Sequence, residues 1–327
     1  MNSGPSVDGV LVQWGERLFY PRNRIVKPLP PARIDALVQR KAALIRSRIA
    51  ATITRRAPQV MLKVTGGGRG MAAIAAHFRY ISKNGRLEIE DDRGVVTNGN
   101  EAMHDLVDQW RHGGSLIDEV SHRREAFNIM LSMPHGTDPK IVLQAAREFA
   151  QLELKDHSYV MVLHEHQANP HVHLAVRAES RFGVRLNPRK TDLHRWRETF
   201  AERLRGWGVE AEATRQATRG ANRKSEPLWR VKAGSEGRLL SGDKSPKTGS
   251  RYRVDRAGAR EAWTRIAAAL GASDRAEDRR LSMEIGRFIR ESPIAREWMS
   301  IHQRDGPPTP NVSMHHKTPD CGPELGR

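Results

Sequence analysis

The residues "SYVMVLHEHQANPHVHLAVRA" (158–178) decide how the chain is read. Two apolar runs of strand length flank a short polar connection containing Asn-Pro, which is the pattern of a β-hairpin. Four histidines, His164, His166, His171 and His173, fall within ten positions of it. Alternate residues of a strand share a face, so His171 and His173 project together, about 6–7 Å apart along the chain. The hairpin brings His164, at the end of the preceding strand, up beside them. Three imidazoles from two paired strands can converge on one ion, with His166 in the connection outside that set.

Three histidine donors that leave coordination positions open have the general form of a catalytic metal site, because a structural site normally closes its coordination. The alternative is a set of ordinary histidines on an exposed hairpin. The apolar flanks, which would bury the cluster, argue against it. A zinc-hydrolase HxHxDH pattern is absent, since Leu174 and Ala175 follow His173. Neutral imidazoles are softer ligands than Mg normally selects, so donor chemistry alone favours Mn, Zn or Ni.

Working outward, "QVMLKV" (59–64) reads as a strand running into the turn "TGGGRG", and "MAAIAAHFRYISKNG" (71–85) as a helix stopped at Asn84 and Gly85. The glycine turn lacks the GxxxxGK[ST] spacing of a phosphate loop. "AFNIMLSMP" (126–134) is a strand ending at proline. A helix follows, capped by Asp138 or Thr137 with Pro139 in its first turn. After Gly183 a helix runs from about Asp192 to Arg205, with Leu193, Trp196, Phe200 and Leu204 as its core side. The order strand, helix, strand, helix, hairpin, helix implies an α+β domain. Its antiparallel sheet carries the histidines, and helices pack against its other face.

The flanks are basic. From about Pro31, the spacing of Ile34, Leu37, Val38, Ile45 and Ile49 predicts a basic helix buried on one face, with DNA contact an open alternative. Residues 215–260 are dense in Arg and Lys among Gly and Ser and read as a flexible segment. A helical pair ("GAREAWTRIAAALG", "RRLSMEIGRFIRE") and a disordered tail from 303 follow. With net charge +17 and a pI near 10.7, the chain calls for a polyanionic partner, nucleic acid first. An anionic membrane is the second candidate, but no apolar run approaches about 18 residues and no signal peptide is visible, so a soluble cytoplasmic protein is expected. The single cysteine, Cys321, leaves no intramolecular disulfide and no thiolate cluster, so any metal must be held by His, Asp or Glu.

These residues resemble a known family. "HEHQANPHVH" (164–173) is similar to the third motif of plasmid relaxases of the P mobilisation class, the group that contains the T-DNA border nuclease, within the HUH endonucleases. "FRYISKNG" (78–85) resembles the first motif and maps the nucleophile onto Tyr80. "LSMPHGTDP" (131–139) resembles the second, placing Ser132 where a serine helps hold DNA near the nick. The segment 185–220 resembles the stretch C-terminal to the family's third motif, so the likeness spans about residues 59–220. It departs from the pattern in two places. Position 166 holds His where the family has Asp, so an orienting carboxylate must come from elsewhere, with Glu165 and Asp118 as candidates. The tyrosine normally lies near the N-terminus, whereas 58 residues precede the likeness here.

The resemblance implies a relaxase domain at 59–225, between a basic N-terminal extension (1–58) and a basic, partly helical one (226–302), with the tail at 303–327. It implies a divalent metal, Mg or Mn, with Zn or Ni open, and site-specific nicking and rejoining through a 5′-phosphotyrosine. The implied partners are single-stranded DNA or an extruded hairpin at a transfer origin, relaxosome accessory proteins and a type IV secretion coupling protein, with no membrane insertion. The implied location is the bacterial cytoplasm, with transfer alongside the DNA. Among the tyrosines, Tyr159 reads as core, and Tyr20 and Tyr252 lie outside the likeness. Lys83, Arg185, Arg189 and Lys190 are candidate DNA contacts, with ordinary surface charge as the alternative for the last three. A rolling-circle replication initiator with the same chemistry, or a non-catalytic basic DNA-binding protein with a structural metal, remains an alternative.

Overall fold

The computed structural model describes residues 6–20, 36–165, 169–221, 236–237 and 250–292. The helices are α1 (Val7–Phe19), α2 (Ala36–Ile53), α3 (Met71–Ile81), α4 (Gly99–His112), α5 (Pro139–Glu153), α6 (Lys190–Gly206), α7 (Ser250–Gly271) and α8 (Ala276–Glu291). The strands are β1 (Met61–Gly66), β2 (Ile89–Asp91), β3 (Val96–Thr97), β4 (Ala126–Ser132), β5 (Tyr159–His164) and β6 (His171–Arg177). They form one antiparallel sheet in the order β1-β4-β6-β5-β2-β3.

β6 is buried along its whole length, which its sequence explains: every second residue is a large aliphatic, and the residues between them are small or polar. Val172, Leu174 and Val176 face one side with Met161, Ile129 and Leu131, where Phe149 of α5 and Trp196 and Phe200 of α6 cover them. The capping expectation for α5 holds, with the Asp138 carboxylate accepting from the Lys140 amide and Pro139 in the first turn. The other side carries His171, His173 and Ala175 together with Val160 and Val162. Helices are not confined to the face opposite the histidines, as the sequence had suggested. Phe78, Ile74 and Ile81 of α3 and Leu106 and Trp110 of α4 pack on Ala126, Val160, Val162 and Ala175, on the histidine side. A strand that is apolar on both faces must be covered on both. α3 and α4 cover the middle of that side and leave the His171 end at their edge.

The glycine turn before α3 serves packing. A Cβ on Gly67 would collide with the Ala126 carbonyl, and one on Gly70 (φ +94°) would collide with the Glu119 carbonyl. The 118–126 segment therefore lies directly against the turn, and its Asp118 and Glu119 carbonyls accept from the Met71 and Ala72 amides at the start of α3.

The first two and the last two helices come together. Leu11, Leu18 and Phe19 of α1, Ile45 and Ile49 of α2, Trp263 and Ile266 of α7 and Ile285 of α8 share one core. The expected N-terminal helix is thus α2, while α1 had no counterpart in the sequence reading. The expected helical pair is α7 and α8, with α7 beginning at Ser250, inside the stretch read as flexible. The rest of that stretch from 222 to 249, apart from residues 236–237, and the tail from 293 lie outside the described residues. Arg46 bridges Asp8 (2.8 Å) and Asp278 (2.7 Å), while Arg48 bridges Glu198 (2.9 Å) and Glu212 (3.1 Å), joining the helical core to α6 and the sheet. Among the described residues no helix is long and apolar enough to cross a membrane.

Candidate metal and nucleophile site

The hairpin register places His164 directly opposite His171 and Val162 opposite His173, so the three histidines share a face across two strands. Their ring centroids lie 4.7–5.0 Å apart, and their ligand nitrogens all lie within 4.8 Å of one another. Each ring is buried, at 4%, 6% and 8% exposure for His164, His171 and His173. His166 lies outside the described residues.

Two of the rings are oriented by backbone carbonyls. A carbonyl only accepts, so His164 donates from Nε2 to Ile81 O (2.7 Å) and holds its lone pair on Nδ1, while His171 donates from Nδ1 to Asn169 O (2.9 Å) and holds its lone pair on Nε2. His173 Nδ1 is buried without a hydrogen-bond partner. Burial, then the neighbouring His164, His171 and His77, pushes the His173 pKa down to about 3. The ring is therefore neutral, with one of its two nitrogens carrying an available lone pair. A close set of buried imidazole nitrogens, one of them orphaned, fits a bound divalent cation, whose charge would compensate for the desolvation of these rings.

Tyr80 sits in the last turn of α3 with 70% of its surface exposed, and its ring centroid lies 6.3 Å from that of His173 at 81°. The helix packs on the histidine side of the sheet and ends at Ile81, whose carbonyl accepts from His164. That bond fixes the end of α3 to the cluster. His77, one turn earlier, completes the group: its ring is nearly parallel to Tyr80 (6.2 Å, 27°) and edge-on to His173 (6.5 Å, 76°). Its Nε2 is buried without a partner, and burial lowers its pKa. The sequence reading passed over His77. Its signal was the i, i+3 spacing in "HFRY", which puts His77 and Tyr80 on one helical face.

Ser132 ends β4 opposite His171, but the residue is only 3% exposed and its hydroxyl donates to the Pro170 carbonyl (3.2 Å). It ties β4 to the connection that precedes β6. Glu165 and Asp118 are both exposed, and the ring hydrogen bonds of the cluster run to the Ile81 and Asn169 carbonyls rather than to either carboxylate. Lys83 follows α3 in a left-handed conformation (φ 52°), exposed at the Tyr80 end. Arg185 is not brought to the cluster, and Arg189 and Lys190 are exposed at the start of α6. They follow β6, whose His171 end carries the site, and Leu186 is pinned to Ala178 beyond the other end. Arg185 there is held by Glu125 (3.3 Å) and Glu179 (3.4 Å).

A family model described as "Relaxase: MobA/VirD2-like, nuclease domain" covers Tyr80, Ser132 and all three histidines. Residues 80–209 match the MobA/VirD2-like relaxase nuclease domain. The relaxase-like segment is also similar to the T-DNA border endonuclease VirD2 of Agrobacterium fabrum (strain C58), at 24% identity over 182 residues, or 50% of this chain and 41% of that protein. The VirD2 of Rhizobium rhizogenes is 23% identical over 182 residues, covering 42% of its length. The match therefore spans less than half the length of these relatives. A solved structure described as "Molecular Basis of Vancomycin Resistance Transfer in Staphylococcus aureus" aligns with 49% of this chain and 99% of its own at 16% identity. Its TM-score of 0.31 is too low for the likeness to inform the fold.

Proposed function

We propose that the protein is a metal-dependent DNA relaxase that nicks one strand at a transfer origin and rejoins it through a tyrosyl intermediate, initiating mobilisation of a plasmid or integrative element. The observation that carries this reading is that Tyr80, exposed at the end of α3, meets a buried trio of histidines, its ring 6.3 Å from His173. Tyr80 Oη attacks the scissile phosphorus, the 3′-hydroxyl leaves, and the 5′ end stays on the tyrosine as a phosphodiester. The same bond energy allows the free 3′-hydroxyl to attack in reverse and reseal the strand. Free phenol has a pKa of about 10, so the attack needs a cation or base beside it. Lys83 at the same helix end is the candidate cation, and His77, kept neutral by burial, is a candidate base within the ring cluster.

His164, His171 and His173 would hold the divalent ion, Mg or Mn by family and Mn, Zn or Ni by donor chemistry, which when bound offsets negative charge at the scissile phosphate. Ser132 acts here by holding the Asn169-Pro170 connection, and with it the carbonyl that orients His171. The substrate is single-stranded DNA or an extruded hairpin, since one phosphate must reach an exposed tyrosine without a complementary strand in the way. Relaxosome accessory proteins and a type IV coupling protein are the proposed partners. The bacterial cytoplasm is the proposed location, with passage alongside the transferred strand.

The test incubates the protein with Mn and end-labelled single-stranded oligonucleotides from its neighbouring DNA and looks for a covalent adduct on a denaturing gel. Tyr80→Phe is expected to abolish the adduct, and an adduct that persists in this variant sinks the nucleophile assignment. Binding without cleavage under any metal would favour a non-catalytic DNA-binding role.

A further inference from the structure

The relaxase reading leaves α8 unexplained. One face of this helix is buried: Ile285 lies in the helical core, the Phe288 ring packs 5.4 Å from Trp263, and Asp278 is held under Arg46. The opposite face carries Arg279, Arg280, Met283, Arg287 and Arg290, all exposed, with Met283 at 67%. At 3.6 residues per turn these five positions fall within an arc of about 100°. The helix's acids fall outside it, with Glu284 turned to Thr54 and Asp278 buried. Arg280, Arg287 and Arg290 have no ion pair or side-chain hydrogen bond among the described residues, whereas Arg46 and Arg48 of α2 are saturated with carboxylates.

Spacing and charge together define the ligand. Arg279 and Arg280 form one cationic group and Arg287 and Arg290 another. At a rise of 1.5 Å per residue their centres are about 13 Å apart, with Met283 between them. The major groove of B-form DNA is about 12 Å wide between its phosphate ridges, and it admits a helix. We infer that α8 is a duplex-DNA docking surface, lying across the major groove with its two arginine groups on the flanking phosphate ridges and Met283 over the groove between them. The protein would thereby hold double-stranded DNA beside the single strand that Tyr80 cuts. The choice of DNA rests on the relaxase reading, and the choice of B-form duplex rests on the spacing. A-form RNA has a major groove too deep and narrow for the same fit.

The test measures binding of the full chain, without metal, to a fluorescent DNA duplex of about 20 bp, two helical turns, as salt is varied. The triple variant Arg280→Gln/Arg287→Gln/Arg290→Gln should lose about tenfold or more in affinity near 0.1 M salt, and its log–log salt slope should be shallower by about 2.7, for three lost phosphate contacts. The matching triple Lys variant should keep most of both, because phosphates read charge. Met283→Glu should weaken the duplex while leaving the single-stranded adduct reaction unchanged. The inference is overturned if the Gln variant binds duplex DNA like wild type, if it loses an RNA duplex equally, or if it loses binding only to phosphatidylserine vesicles. Because duplex binding is read without metal or cleavage, failure of the adduct experiment would remove the relaxase reading and leave this result standing.

Discussion

The helical core and the histidine end of the sheet treat buried polar groups in opposite ways. In the helical core, Arg46 and Arg48 are matched by four carboxylates, Asp8, Asp278, Glu198 and Glu212. At the histidine end the buried nitrogens include orphans, His77 Nε2 and His173 Nδ1, and exposed Tyr80 stands beside them. The Arg46 and Arg48 charges are matched within the chain, whereas the histidine end presents buried ring nitrogens that a ligand could meet. The contrast separates a region that holds the molecule together from one shaped to receive a ligand.

The contrast can be broken by removing a partner on each side. Glu212→Ala removes one of the two carboxylates on the buried Arg48 guanidinium, leaving only Glu198, and should cost about 3 kcal/mol in urea unfolding. His171→Ala in metal-free protein should cost far less, and equal losses would erase the distinction. Adding Mn at about 100 times its dissociation constant should raise wild-type stability by about 2.7 kcal/mol, reversed by chelator. The same addition to His171→Ala or His173→Ala should do almost nothing, and a full response in either variant would move the metal elsewhere.

Smaller effects sharpen the picture around Tyr80. His77→Ala removes the ring stacked beside it and should slow adduct formation about tenfold, or about 1.4 kcal/mol, with single-strand affinity unchanged. A loss confined to affinity would make His77 a DNA contact instead. The smallest effect concerns acid. The His173 pKa is depressed in the folded state, from 6.5 to about 3, so between those values the unfolded chain binds the extra proton. Stability must then fall as pH drops, by about 1 kcal/mol between pH 6.5 and 5.5 in metal-free protein. His173→Phe should flatten that part of the curve, and an unchanged slope would assign it to another group.

The hairpin and its three histidines were legible because period-two alternation and an HxH pair survive any tertiary context. α5 was legible through Asp138-Pro139, a capping signal written in side chains. α1 was missed for a physical reason. Gly9 and Gly15 lower its helix propensity, yet a Cβ on Gly15 would lie 2.5 Å from Ile45, so the glycine serves the contact with α2. β2 and β3, three and two residues long, depend on pairing, β2 with β5 and β3 with β2, and carry little pattern of their own. The sequence offers Glu165 and Asp118 as orienting acids, whereas the atoms that accept from His164 and His171 belong to the backbone at Ile81 and Asn169. Backbone carbonyls leave no trace in a sequence.

The hydrogen bond from His164 to the Ile81 carbonyl gives the site a reciprocal character. Ile81 is the residue after Tyr80, so the imidazole that faces the metal position and the helix end that carries the tyrosine share one mechanical joint. Whatever fixes one side of that joint limits the freedom of the other. By linkage, if ion binding improves the placement of the tyrosine for DNA, DNA must improve the affinity for the ion by the same factor. On the relaxase reading proposed above, such a joint would hold the ion loosely between cycles and tightly while a strand is engaged.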